Sequence, residues 1–595
     1  MPAPAPYTLD FPPGFLKVDS PNAARGRFID GDHVRFINNK AQKWKGWNKL
    51  LQTQLLGTAR GAVAWTTSFL NTDWSVGTHL KLYILQGDDT ITDITPVRRV
   101  ANPLGNNPFT TALSSNVVTV ADTTHGAIVN DFVTYSGAVA FNNVTIVGTY
   151  QVQSVIDANT YTILAGTNAN ANGAGGGNAV VATYQINTGL SDGTLGLGYG
   201  AGTYGSSTYG TQRATGIQLE LRTWSMDIRA SNLLCSPSGG SLYQFRDGTD
   251  TVAVAITNAP ASIRAMFVTA EGYVFALGTS TPMTVQWPDQ IDITQWTAAS
   301  NNTANSRVLA GGSKLMGGLR VADGVSLVWS DTNCFLFQFT GDNLVYASRA
   351  VGDAMGLMAP LARAQHNGIA YWMTPQGYFQ MYLGYAQNIP NQEDIRAFVY
   401  SDMDLSRFQK TWARYDANNN QLRWHYCSLS STTGEPDKYV DVTLDGNFTW
   451  TTGTLDRTTG SAYRPAENID LLVSSAGYIY AHDEGTDADG SALQAFITYA
   501  PLELTDGADN MDVTGIIPDF ERQTGAVTFE FTGTDRPDNS TPLDSAIITV
   551  SPGDPIDDMR LQGRLAGLTI RSNVLGGDFR VGKPQLELGP AGQRR

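Results

Sequence analysis

An all-β fold is what this sequence predicts: a β-propeller of about six blades, with a small β-sandwich inserted into it and further strands toward the C-terminus. Three observations predict it. Glycine and aromatic residues are abundant and charge is scarce, with 61 Gly, 24 Tyr, 23 Phe and 12 Trp among 595 residues and only 16% charged. That is the composition of many short strands and turns. Apolar runs of strand length, bounded by Gly, Asp and Asn, occur at Leu82–Leu85, Tyr273–Leu277 and Phe335–Phe339, and strict alternation occurs over Val527–Phe531. Finally, a turn residue followed by a short aromatic strand recurs at Gly240–Phe245, Gly272–Phe275, Gly377–Gln380 and Gly477–Tyr480, with degenerate copies at Lys81–Ile84 and Leu422–Tyr426. Some copies stand roughly 30 to 55 residues apart, the length of a four-stranded blade.

A chain of this length exceeds what one core fills, so about two to four domains are expected. Residues 1–108 read as an N-terminal arm and the first propeller strands. Residues 109–187 differ in composition: no Lys or Arg occurs between Arg99 and Arg213, and short strands are signalled at Val117–Val120, Phe132–Tyr135, Tyr150–Val152 and Tyr161–Ile163. They read as a sandwich inserted into a host loop. The run Gly196–Gly205, followed by Tyr209-Gly210, reads as an irregular loop leading into the main propeller, which takes residues 188–500. The best helical candidate is Asp402–Trp412, with Met403, Leu405 and Phe408 apolar. Residues 501–595 alternate again and read as a C-terminal β domain or the partner of the N-terminal arm.

The net charge of −15 disfavours an ordinary DNA- or RNA-binding module. The composition excludes disorder and a coiled-coil rod. Cys235, Cys334 and Cys427 are far apart and form no CxxC, so they read as small buried hydrophobes rather than a zinc site or disulfide framework. Met1–Pro6 lacks the basic and apolar regions of a secretory signal, and no apolar run approaches the ~18 residues of a membrane span. Synthesis in a reducing cytoplasm is expected.

No catalytic, cofactor-binding or metal-binding residue is assigned. Gly577–Lys583 has phosphate-loop spacing, but Pro584 stands where a Mg²⁺-binding hydroxyl is needed. Gly200–Gly205 matches GxGxxG without a surrounding βαβ pattern. The six histidines, His33, His79, His125, His366, His425 and His482, show no pair at metal-ligand spacing and read as structural. In the acidic stretch His482–Gly490 a calcium loop would place Gly485 and Phe496 at carboxylate positions, so a solvated turn is expected. Glycosidases commonly use paired carboxylates, and Asp292, Asp331 and Asp394 are present without a signal that places them together. Thr443–Trp450 is a single degenerate copy of the repeated sialidase turn and reads as a hairpin.

Several motifs nevertheless match one family in order. They are Arg25–Phe36, Lys43–Trp47, Gly202–Gly205 with Tyr209–Thr211, Arg222–Asp227, Phe398–Asp402, Trp424–Tyr426, His482–Gly485, Ile516–Phe520 and Gly592–Arg595. In these the chain resembles the podovirus tail nozzle, or packaged-DNA stabilisation, proteins (the lower-ring tail tubular proteins). It departs from them at Ile228–Leu233, where the family often has Gly-Glu-Asp-Leu, and at the insert, which resembles the small Ig-like modules of phage structural proteins.

The resemblance implies a non-enzymatic virion protein without cofactors, assembled in the host cytoplasm. Six copies would form a ring below the portal and adaptor, retain packaged double-stranded DNA, conduct it at ejection, and offer propeller surface to tail fibres or spikes. An acidic lumen would let DNA slide without sticky phosphate contacts. Two other classes fit the composition: a monomeric propeller that binds or hydrolyses glycan, and a host-surface adhesin acting through the Ig-like insert.

Overall fold

The computed structural model describes residues 6–593, apart from 21–22, 69–70, 194–219, 343, 465–468, 504–508, 537–540 and 556. The glycine-rich run Gly196–Gly205, its GxGxxG match and Tyr209–Thr211 fall outside the described residues. The fold is all-β and of the propeller type, and no described helix is long and apolar enough to cross a membrane. The chain forms two compact units, one of Met1–Gln54, Gly311–Gln338 and Ser348–Arg595, the other of Leu55–Ala310 and Phe339–Ala347.

The second unit contains three sheets, at 59–93, 224–255 and 265–308, each of four antiparallel strands hydrogen-bonded in chain order. This is blade topology. It also holds the inserted sandwich. One sheet orders Val97–Ala101, Val181–Gln185, Phe132–Ser136 and Gly148–Gln151. The other orders Ser154–Asp157, Thr160–Leu164, Val117–Ala121, Phe109–Thr111 and Gly173–Gly175. Val118, Val120, Tyr135, Tyr161, Ile163 and Tyr184 fill the space between. The sandwich therefore begins at Val97, ahead of the expected residue 109. Val97–Ala101 pairs along Val181–Gln185, and Arg99 ties its start to Asp122 with a 2.8 Å bond.

The first unit carries the meanders at 363–388, 412–454 and 459–482, the last completed by Trp47–Lys49, and most of a fourth at 315–352, of which Phe339–Ala347 is assigned to the other unit. Six of the meanders in the two units hold one tryptophan under 2% exposed: Trp74, Trp224, Trp287, Trp329, Trp372 and Trp424. The aromatic repeat marks a real turn. At Thr269–Tyr273, Thr374–Tyr378 and Ser474–Tyr478 the first residue's N–H donates to the tyrosine carbonyl and its hydroxyl accepts the tyrosine N–H, at 3.3, 3.1 and 3.3 Å respectively. The glycine before each tyrosine has φ of +86°, +79° and +83°, conformations that favour Gly.

The N-terminal segment threads the same unit. Tyr7–Thr8, Phe28–Asp32 and the hairpin Val34–Ile37/Lys40–Lys43 each join a different sheet built from strands between Ala495 and Gln593. Phe15, Phe28 and Phe36 pack into a core with Tyr499, Phe529 and Phe531. Arm and C-terminal strands are thus one structure, which starts at Ala495 rather than 501.

The helix lies at Glu393–Asp402, just ahead of the expected Asp402–Trp412. Its first turn carries Glu393 and Asp394, favourable at a helix N-terminus, and it buries Ile395 and Val399 four residues apart. It stops because Met403 is extended and Asp404 folds a turn by accepting from the Ser406 N–H at 2.9 Å. All three cysteines are free and buried, as expected.

Candidate functional site

The meander 412–454 has two buried faces. Along Gln421–Tyr426, Leu422, Trp424 and Tyr426 enter the apolar core, while Gln421, Arg423 and His425 point the other way and are equally buried. Register sets Trp412, Arg414 and Asp416 beside them on one neighbouring strand, and Tyr439, Asp441 and Thr443 on the other. The adjoining meander adds Asp470 and His482, which are register partners, and the turn residue Asp483. The N-terminal segment adds Arg35, Trp44 and Trp47, with Trp47 paired to His482.

Four guanidiniums meet four carboxylates here. Arg423 binds Asp441 through two bonds, 2.6 and 2.7 Å, with the side chains 2% and 0% exposed. Arg414 pairs with Asp470 and lies 3.6 Å from Asp416, and Arg35 lies 3.4 Å from Asp483. Arg457 donates to His482 Nε2 at 2.9 Å, which leaves the imidazole proton on Nδ1 and the ring neutral. Aromatic rings wall the charges. The Arg423 guanidinium sits 3.9 Å from the Trp44 ring centre, Arg457 sits 4.3 Å from that of Tyr480, and His425 stacks on Trp412 at 4.2 Å with planes 2° apart.

Burial holds the pKa of His425 and His482 well below the ordinary value, and the surrounding arginines lower both further. Burial also lowers Arg457, to about 10. Burial raises Asp441 and Asp470 against the pull of Arg423 and Arg414 respectively. Asp416 is resisted by burial but ends below the usual range, because Arg414, Arg423 and Arg35 outweigh it.

Asp416, Asp470 and Asp483 place carboxylate oxygens within 4.8 Å of one another. The arrangement does not fit a divalent cation, since Arg414, Arg35 and the Asn419 amide (2.9 Å from Asp416) already occupy those oxygens and supply the compensating charge. Nor does it fit a general base, which must reach a substrate proton, because His425 is fully buried.

Three scattered histidines are therefore gathered around one joint: His33 joins through its contacts with Trp44 and Trp47, at 5.5 and 5.6 Å. His79, His125 and His366 lie elsewhere; His79 Nδ1 accepts the Thr58 N–H at 2.9 Å and His366 stacks on Tyr415. The acidic stretch is a turn exposed at Gly485, Asp489 and Gly490, and its carboxylates are also bonded: Asp483 enters the network, Asp487 accepts from the Gly576 N–H at 2.8 Å and Asp489 from the Lys49 N–H at 3.1 Å. Asp292, Asp331 and Asp394 each serve a different local bond set, accepting respectively from Thr294, from Ser313, and from the Lys17 and Val18 N–H groups. Asp578–Val581, inside the phosphate-loop spacing, is strand. Arg414, Asp416, Arg423, Asp441, Arg457 and Asp470 were not singled out from sequence. Their signal is charge alternating with aromatic and apolar residues on neighbouring strands of a charge-poor chain.

A surface cavity of about 520 Å³ lies in the other unit, lined by Glu220, Arg222, Ser238, Ser262, Arg264 and Thr281 among others. Among its described lining residues Glu220 is the one carboxylate, and it binds Arg264 at 2.8 and 3.2 Å.

No family model matches the chain, and no curated protein matches it. Among solved structures it is similar to the phage phi92 endosialidase, at 12% identity over 76% of this chain and 58% of that one, with a TM-score of 0.20. YCF48 bound to D1 peptide aligns at 8% identity over 65% and 97%, with a TM-score of 0.27. PorZ of Porphyromonas gingivalis aligns at 9% over 93% and 86%, with a TM-score of 0.29. Likenesses this loose carry no argument about activity.

Proposed function

We propose that the chain is a structural subunit of a phage tail, of the nozzle type, which assembles six-fold below the portal and adaptor, retains packaged DNA and conducts it at ejection. One observation carries the reading. Four motifs on which the tail resemblance rests, Arg25–Phe36, Lys43–Trp47, Trp424–Tyr426 and His482–Gly485, supply Arg35, Trp44, Trp47, His425, His482 and Asp483 to a single buried joint. Signature residues of an enzyme converge on a cleft that substrate can enter. Here they converge where substrate cannot, as expected of a family defined by its architecture. The net charge of −15 supports a conduit that holds DNA by constriction rather than by affinity.

The test is negative-stain microscopy of the protein alone and mixed with its portal–adaptor complex. Six-fold rings docked coaxially are the expected result. Single particles that never join the complex, together with binding or cleavage of a host glycan, would replace this reading with the glycan-directed one. A tight, salt-sensitive complex with duplex DNA would contradict the constriction mechanism.

A further inference from the structure

The surface cavity of the second unit is built from matching connections of two successive meanders. Glu220 and Arg222 lead into the first strand of the 224–255 sheet, and Ser238 and Gly239 turn between its second and third strands. Ser262 and Arg264 stand in the same place ahead of the 265–308 sheet, and Gly278–Pro282 form its corresponding turn. Glycines make room for both arginines. A Cβ on Gly189 would stand 2.5 Å from Arg222 Nε, and one on Gly278 would stand 2.8 Å from Arg264 Cδ. The volume of about 520 Å³ is that of a small-ligand pocket.

Its polar groups are unevenly satisfied. Arg264 is held by Glu220, and the Ser238 and Ser262 hydroxyls donate to the Leu221 and Gly239 carbonyls. Arg222 is different. It is 7% exposed, its side chain donates to the Asn187 carbonyl at 2.6 Å, and its Nε has no partner. No described carboxylate pairs with it: Asp131 acts on it at a distance and is engaged by Asn187 and Thr188. Burial lowers its pKa to about 10, so it keeps its charge at pH 7. Arg414 and Arg423, at least as buried, each bind a carboxylate. The Thr279 hydroxyl in the same lining is also buried without a partner. A buried cation and a buried hydroxyl are both costly to leave open.

We propose that this cavity binds a small oxyanion, a phosphate or carboxylate group, with Arg222 as its principal cation and the Thr279 hydroxyl as a second donor. Oxyanion oxygens accept hydrogen bonds, which is what both open donors lack, and the planar guanidinium fork matches either group. Two guanidiniums face one carboxylate among the described lining residues, so a single anionic group completes the balance. The inference goes beyond the tail reading, which assigns the chain no small ligand.

Isothermal titration calorimetry of the full-length protein with inorganic phosphate, and separately with acetate, at constant ionic strength in chloride, tests it. One saturable site per chain is expected for at least one of the two, and the one that binds identifies the group. Thr279→Val should weaken that binding by roughly tenfold or more, the effect of losing a hydrogen bond to a charged group. Its melting temperature without the anion should match or exceed that of wild type, because the hydroxyl it loses has no partner. Glu220→Gln frees Arg264 and removes a competing carboxylate, so it should tighten binding several-fold. Arg222→Lys keeps the charge, loses the fork, and should bind more weakly than wild type. Absence of saturable binding of either anion by wild type overturns the proposal, and so does a folded Thr279→Val or Glu220→Gln variant that binds as wild type does. Failure of the tail reading is separable: anion binding by a protein that never joins the portal–adaptor complex would uphold this inference alone.

Discussion

The Arg423 guanidinium lies 3.9 Å from the centre of the Trp44 ring while two bonds tie it to Asp441, so a residue of the N-terminal segment caps a charge in the middle of a distant meander. Removing one partner of a fully buried pair strands the other without water. Arg423→Ala and Asp441→Ala should each cost about 3 to 5 kcal/mol in denaturant unfolding. Arg423→Met/Asp441→Leu should cost much less than the two single changes together, and additivity of the singles would show that the pair is not coupled.

Trp44 makes a second prediction at its neighbour Gly46. A Cβ there would stand 2.0 Å from the Asp487 carbonyl oxygen, which is backbone and cannot rotate away. The same residue donates its N–H to the Gly485 carbonyl at 3.0 Å. Gly46→Ala should lower the melting temperature and expose residues 40–50 to limited proteolysis, whereas Gly485→Ala meets nothing within 4 Å and bears only the cost of its φ of +62°. Equal sensitivity of the two variants would remove the steric argument.

The histidines set a pH dependence. His425 and His482 are held neutral in the folded state, with pKa values well below the ordinary ~6.5 that they regain on unfolding. Below ~6.5 the unfolded chain therefore binds more protons, and stability falls as pH falls, by up to ~1.4 kcal/mol per pH unit for each residue. Asp416, depressed, adds to the loss only at lower pH. Asp441 and Asp470, raised, act in the opposite sense there. Melting temperature should drop between pH 7.5 and 5.5, and His425→Phe, which keeps the stack on Trp412, should flatten that slope. A slope unchanged in the variant would place the titration elsewhere.

The recurring hairpin turn gives a graded prediction. Gly272 and Gly377 share a left-handed backbone, with φ of +86° and +79°. A Cβ on Gly272 meets nothing within 4 Å, while one on Gly377 would stand 2.6 Å from the Tyr400 ring. Gly272→Ala should cost roughly 1 to 2 kcal/mol, the left-handed penalty alone. Gly377→Ala should cost measurably more in the same unfolding assay, and the reverse order would refute the contact.

Where one face is apolar the sequence is legible: Val527, Phe529 and Phe531 are buried on alternate positions as their spacing requires. The same rule misleads over Leu422–Tyr426. Alternation of Leu422, Trp424 and Tyr426 with Arg423 and His425 normally assigns the charged face to water. It is buried because Asp441, Asp470 and Trp44 neutralise and cover it, and these come from separate strands whose pairing no local pattern reveals. The insert was legible by its lack of charge, but its first strand was not, because Val97–Ala101 still carries Arg98 and Arg99.

The threading of the N-terminal segment through the last sheets has a consequence for biosynthesis. Phe28 belongs to a strand paired with Ala495–Leu502, and the hairpin that carries Phe36 joins Asp578–Val581 through its second strand, Lys40–Lys43. At about 5 to 20 residues per second, ribosomes make those partners roughly half a minute to two minutes later. Throughout that interval the Phe28 strand lacks its Ala495–Leu502 partner, and the Val34–Lys43 hairpin lacks the strands that complete its sheet. A chain cut short before residue 578 can never complete the Val34–Lys43 sheet, so the topology itself separates full-length chains from fragments.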